Sequence, residues 1–133
     1  MIGKSFRLLD QYGGAEGQST IRLVAANEAT VTELSQADLD KKCKGTNQTG
    51  CNDGSDIFVL SGQSMVDNAS RLTHEATHFF DKGAAEEPLA WRSTLRVWNR
   101  FDSALPTSYT AGSWYRQHSQ RCARGAYASN YCP

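Results

Sequence analysis

The stretch Leu72-Thr73-His74-Glu75-Ala76-Thr77-His78-Phe79-Phe80-Asp81 decides how the chain is read. Around it the apolar residues recur with a helical period. Ala69, Leu72, Ala76, Phe79 and Phe80 fall on one broad face of a helical wheel, as they do in a helix that buries one side against a core. His74, His78 and Asp81 gather on the opposite side, flanked by Glu75. The pattern predicts a helix that seals a core with one face and lines a cleft with the other. Asp67 is its expected N-cap and Gly83 its expected stop.

Positions i and i+4 of a helix are neighbours, about 6 Å apart along the axis. Two imidazoles so placed can reach one zinc ion, each at about 2.0–2.1 Å. Glu75 is rotated aside and need not bind the ion. It is placed instead to take a proton from a water that zinc has acidified, and to hand it to a leaving amine. With the histidines and glutamates this chain has, a shuffle would produce H-E-x-x-H in only about 0.3 per cent of cases, and the amphipathic helical context agrees with the metal reading.

A catalytic zinc takes three protein ligands and leaves a fourth position open. The segment "DKGAAEEPLAW", residues 81–91, offers Glu86 and Glu87, with Asp81 nearer still. Asp81 lies about 4.5 Å along the axis beyond His78, a position better suited to orienting that ring than to binding the ion. Gly83 allows a sharp reversal, so a glutamate at the start of the next helix can fold back onto the site. Glu87 opens Glu87-Pro88-Leu89-Ala90, in which Ala90 would permit close helix packing. Glu87 is therefore preferred to Glu86. His118, the one histidine outside the motif, is the remaining alternative.

Working outward, residues 4 to 12 suit a short helix. "STIRLVAA" alternates as a strand does and "ATVTEL" suggests a second. Ser35 is placed to cap a short helix, "QADLDKKC". "KGTNQTGCNDGS" reads as loop and "DIFVLSG" as a strand bounded by turns. Pro88 suits the first position of another helix, with Leu89, Leu95, Trp98 and Phe101 as core contacts. From Leu105 to Pro133 the Gly-, Ser- and Tyr-rich tail is expected to wrap the body.

The chain has 133 residues, a length that suits one domain, residues 1–133, able to bury its own core. Its 14 basic and 14 acidic residues cancel, which argues against an electrostatic nucleic-acid binder. No apolar run approaches the roughly 20 residues that span a bilayer, and the N-terminus lacks the apolar segment of a signal peptide. Cys43, Cys51, Cys122 and Cys132 form two local pairs without C-x-x-C spacing. Two disulfides are expected, most simply 43–51 and 122–132, although four cysteines allow three pairings. Disulfides imply an oxidising destination, secreted or otherwise extracytoplasmic, such as a periplasm or the compartment of a target cell.

H-E-x-x-H followed by E-x-x-A on the next helix resembles the gluzincin branch of the zincin metallopeptidases. The fuller pattern, "HEATHFFDKGAAEEPLAW", resembles the compact zincin domains of bacterial polymorphic and effector toxins. The resemblance covers residues 57 to 98 or so. The gap from His78 to Glu87 is short for that branch. The histidine ligand of the metzincins is missing, with Ala84 at its expected position. The resemblance implies a minimal zincin-like α+β fold, in which a small sheet sets an edge strand over the active-site helix. It implies that Ile57 to Ser61 is that strand, pairing with an extended substrate. It also implies a Tyr or His near the oxyanion, for which Tyr109, Tyr115 and His118 are candidates.

These readings lead to a monomeric zinc peptidase acting on a protein or peptide, a secreted effector or toxin that an inhibitor or immunity partner could silence. Two rivals stand beside it. One is a secreted binding or structural domain in which zinc only fastens helices. The other is a zinc amidase acting on cell-wall amides.

Overall fold

The computed structural model describes residues 2–80 and 87–123. Among these, helices α1 (Ile2–Tyr12) and α2 (Gly14–Ala26) precede strand β1 (Val31–Leu34) and helix α3 (Gln36–Cys43). Strands β2 (Gly50–Asn52) and β3 (Ile57–Leu60) follow, then helices α4 (Met65–Phe80), α5 (Glu87–Ala104), α6 (Thr107–Thr110) and α7 (Trp114–Ala123). The fold is α+β, a small three-stranded sheet packed among helices.

The strand order is β1-β3-β2, with β1 parallel to β3 and β2 antiparallel to it. The strand expected to form the edge is therefore the middle one. Its unbroken apolar run is the mark of a strand flanked on both sides, and Ile57 and Val59 are fully buried. The edge beside α4 is β2, from a segment expected to be loop. Gly50-Cys51-Asn52 has little strand propensity of its own. It is held in place by its surroundings: Cys43 and Cys51 are disulfide-bonded, and two aspartates shape the loops on either side. Asp40 accepts the backbone N–H groups of Asn47 and Gln48, and Asp53 accepts those of Ser55 and Asp56. These bonds, led by those from Gln48 and Asp56 respectively, hold both carboxyls below their usual range. Cys122 is buried near the end of α7 and is not a free thiol. Cys132 lies outside the described residues.

Ser35 caps α3 as expected, its Oγ accepting the Asp38 N–H at 3.3 Å. "STIRLVAA" is not a strand: it is the second half of α2. The fully buried positions of α2 are Gly17 and Thr20, while Ile21, Leu23 and Val24 are only partly buried against the core, so its helical period is faint. Thr20 donates to Thr73 of α4 at 3.0 Å. The turn between α1 and α2 uses Gly14 at φ +65°, where other residues are strained. The tail folds as α6 and α7 at least as far as Ala123, held to the body by Ser113, whose hydroxyl donates to Asp67 at 2.7 Å.

α4 starts earlier than expected. Ser64, not Asp67, is the cap, accepting the Asp67 N–H at 3.2 Å. Ala69, Leu72 and Ala76 on α4 meet Val97, Trp98 and Phe101 on α5, Leu8 and Leu9 on α1, Ile57 and Val59 on β3, and Tyr115 on α7 in one apolar cluster. Trp98 and Phe101 are central, as expected, whereas Leu89 and Leu95 are only half-buried. Ala90 is fully buried, as close packing of α5 requires. No described helix is long and apolar enough to cross a membrane.

Candidate metal centre

Because α4 is regular from Met65 to Phe80, His74 and His78 stand one above the other. Their Nε2 atoms are 3.4 Å apart and their rings meet edge-on, at an interplanar angle of 72°. That separation is long for a hydrogen bond. It matches the edge of a tetrahedron around an ion with bonds of about 2.0–2.1 Å, which is about 3.3–3.4 Å. A carboxylate oxygen of Glu75 completes a group whose ligand atoms all lie within 4.8 Å of one another. Two imidazole nitrogens are donors that divalent transition metals accept, and the Glu75 carboxylate beside them fits as a further donor or as a neighbouring base, so the residues present fit such an ion.

The histidines were expected to line a cleft, and the structure adds how closely that cleft is covered. His74 is only 3% exposed and Glu75 4%, while His78 is half-buried. The cover is aromatic. Trp91, one turn along α5 from Glu87, lies 4.4 Å from His74 between ring centroids. Trp91 also meets His118 of α7, edge-on at 4.6 Å, and Trp114 stacks on His118 at 4.3 Å. Burial, with the nearby charges of Arg71, His74 and Arg121, pushes His118 down to about 4, so it is neutral at pH 7.

Glu75 is tied down from several sides. Its Oε2 is 3.3 Å from Nη1 of Arg71, one turn earlier on α4. Nη2 of Arg71 donates to Thr49 Oγ1, at the approach to β2. The guanidinium lies 6.0 Å from the Trp91 ring centroid and 5.6 Å from that of Tyr115. Asn52 of β2 donates its side-chain N–H to the Glu75 main-chain oxygen at 2.8 Å. The edge strand is thus fastened beside the motif helix, and Gly50 lets it come close: a Cβ there would sit 2.9 Å from Arg71 Cγ.

Of the residues named from the sequence, His74, Glu75 and His78 come together as expected. Asp81 and Glu86 lie outside the described residues, as does the side chain of Glu87, whose backbone opens α5. His118 is not a member of the ligand group and packs on Trp91. Tyr115 is buried beside Arg71; burial pushes its phenol up against the opposing pull of Arg71, so the hydroxyl keeps its proton. Tyr109 is largely exposed. Sequence reasoning missed Arg71, Trp91, Thr49 and Asn52. Arg71 carried a signal, its i,i+4 spacing to Glu75; the other three are neighbours only in the folded chain. Compared with family models, curated proteins and solved structures, the chain matches none.

Proposed function

We propose that the chain is a zinc-dependent endopeptidase in which His74, His78 and Glu87 hold the ion and Glu75 is the general base. The observation that carries the reading is the 3.4 Å separation of the two Nε2 atoms with a Glu75 oxygen beside them. Bound zinc would polarise the scissile carbonyl and acidify the attacking water. Everything else falls to the chain's own residues. Glu75 takes the proton from the water and returns it to the leaving nitrogen. His74 and His78 present their nitrogens from a rigid helix, and Trp91 keeps bulk water from the His74 ring. Glu87, one turn ahead of Trp91 on α5, is the third ligand. The outer edge of β2, held against Glu75 by Asn52, receives an extended peptide by main-chain pairing.

The Cys43–Cys51 disulfide supports an extracytoplasmic destination, consistent with a secreted effector or toxin and an inhibitory partner. The test combines metal analysis with cleavage of a peptide library. Wild type should hold one zinc per chain and cleave. Glu75→Gln should keep the zinc and lose about 10²–10⁴-fold in rate, and His74→Ala should lose both. Undiminished proteolysis by Glu75→Gln would reject the mechanism.

The burial of His74 and Glu75 favours a second reading, in which zinc only fastens α4 to α5. A hydroxamate, which needs an open metal position, separates the two: it binds the hydrolase and not the fastener. Cell-wall amide fragments included in the library separate an amidase from an endopeptidase.

A further inference from the structure

We propose that Arg71 is a positioning residue that keeps the Glu75 carboxylate beside the metal and off it; this rests on the zinc reading above. A glutamate adjacent in sequence to a ligand histidine, with an oxygen within 4.8 Å of the ligand nitrogens, is close enough to swing onto the ion. Once bound there it could no longer accept a proton from water. Something must hold it back, and the geometry points to the guanidinium.

Arg71 is built for that task. Its side chain is 12% exposed and that of Glu75 5%, so the pair is screened little by solvent. Removing either partner would leave a buried, uncompensated charge, and that cost enforces the pairing. The Nη1–Oε2 contact of 3.3 Å commits one carboxylate oxygen to Arg71 and leaves the other for the proton transfer. The guanidinium cannot follow the carboxylate toward the ion. Its second nitrogen donates to Thr49, and its carbon lies 6.0 Å and 5.6 Å from the ring centroids of Trp91 and Tyr115. Those anchors stand on the approach to β2, on α5 and on α7, so the leash is fixed to three parts of the fold. A planar fork with several donors does this, and the point charge of a lysine does not.

The readout is the visible spectrum of the cobalt(II)-substituted protein, which reports ligand number whether or not a substrate is known. Arg71→Gln should free Glu75 to bind, weakening the bands as the coordination number rises. Arg71→Gln/Glu75→Gln should restore the wild-type spectrum, and Arg71→Lys should fall between. With a cleaved peptide in hand, kcat should drop about 10–100-fold in Arg71→Gln while KM holds. Thr49→Val removes one anchor without stranding a charge. It should move the spectrum the same way by less, and it serves if Arg71→Gln does not fold. Spectra and kcat unchanged in Thr49→Val and in the Arg71 variants that fold overturn the positioning role and leave the zinc reading standing. A wild type that binds neither cobalt nor zinc overturns the zinc reading first, and the positioning role with it.

Discussion

Ala69, Leu72 and Ala76 on one side of α4 and His74 and Glu75 on the other are all nearly or wholly hidden from solvent, yet different forces hide them. The first set is driven inward by the hydrophobic effect, at roughly 25 cal/mol per Å² of apolar surface removed from water. Any apolar residues of similar volume would serve nearly as well. The second set gains nothing from burial as such. Glu75 is desolvated beside Arg71, and pairs of this kind often contribute no more than well-packed apolar residues would. A helix meant only to hold the fold together would do as well with leucines at those positions. The difference teaches that stability accounts for the apolar side but not for the polar one, which is where the proposed metal chemistry would act.

The comparison breaks if damage to the apolar side disturbs metal binding in protein that remains folded. Leu72→Ala should cost about 2–5 kcal/mol, the largest stability effect expected of a single change on α4, because Leu72 is fully buried in the central cluster. Denaturant unfolding gives the cost. Under folding conditions the variant should bind the proposed metal as wild type does, since Leu72 faces away from the imidazoles.

A smaller perturbation sharpens the boundary between the faces. Trp98 of α5 donates its indole N–H to Ser70 Oγ of α4 at 2.9 Å, in a wholly buried hydrogen bond. Trp98→Phe removes the donor and some volume and leaves the serine without its partner, at about 1–3 kcal/mol. The same unfolding measurement checks it, and metal content should again be unchanged.

These contrasts also explain what the sequence revealed. Residues 72–81 were legible because both properties of α4, a helical apolar period and an i,i+4 pair of imidazoles, are local. Ser35 as a cap and the Cys43–Cys51 pair were legible for the same reason. β2 was not, because Gly50-Cys51-Asn52 has little strand propensity and becomes a strand by pairing with β3, beside loops shaped by Asp40 and Asp53 and a disulfide to Cys43. Its neighbour β3 was legible as a strand; the resemblance to zincins set it at the edge, whereas its continuous apolar run suits the middle position it takes. α2 was not legible as a helix because its deepest positions are Gly17 and Thr20, while Ile21, Leu23 and Val24 are only partly buried against the core. The Trp91 cover over His74 depends on how α5 and α7 meet α4, which no window of residues records.

His118 gives the smallest effect and the finest test of the polar side. Its ring sits between Trp91 and Trp114, and desolvation, with Arg71 and His74 of α4 and Arg121 of α7, lowers it to about 4. In the unfolded chain it titrates near the ordinary value of about 6.5. Between those two values the unfolded chain binds the proton and the folded one does not. The stability tied to a neutral His118 is therefore fully present above pH of about 6.5 and is lost as pH falls toward about 4. His118→Phe keeps an aromatic ring in the stack and removes the titration. Melting temperatures of metal-free protein, followed from pH 7 down to about 4.5, should fall more steeply for wild type than for His118→Phe. Parallel curves would mean that the ring is solvated enough to protonate in place, and that the aromatic cover over His74 is looser than its contacts imply.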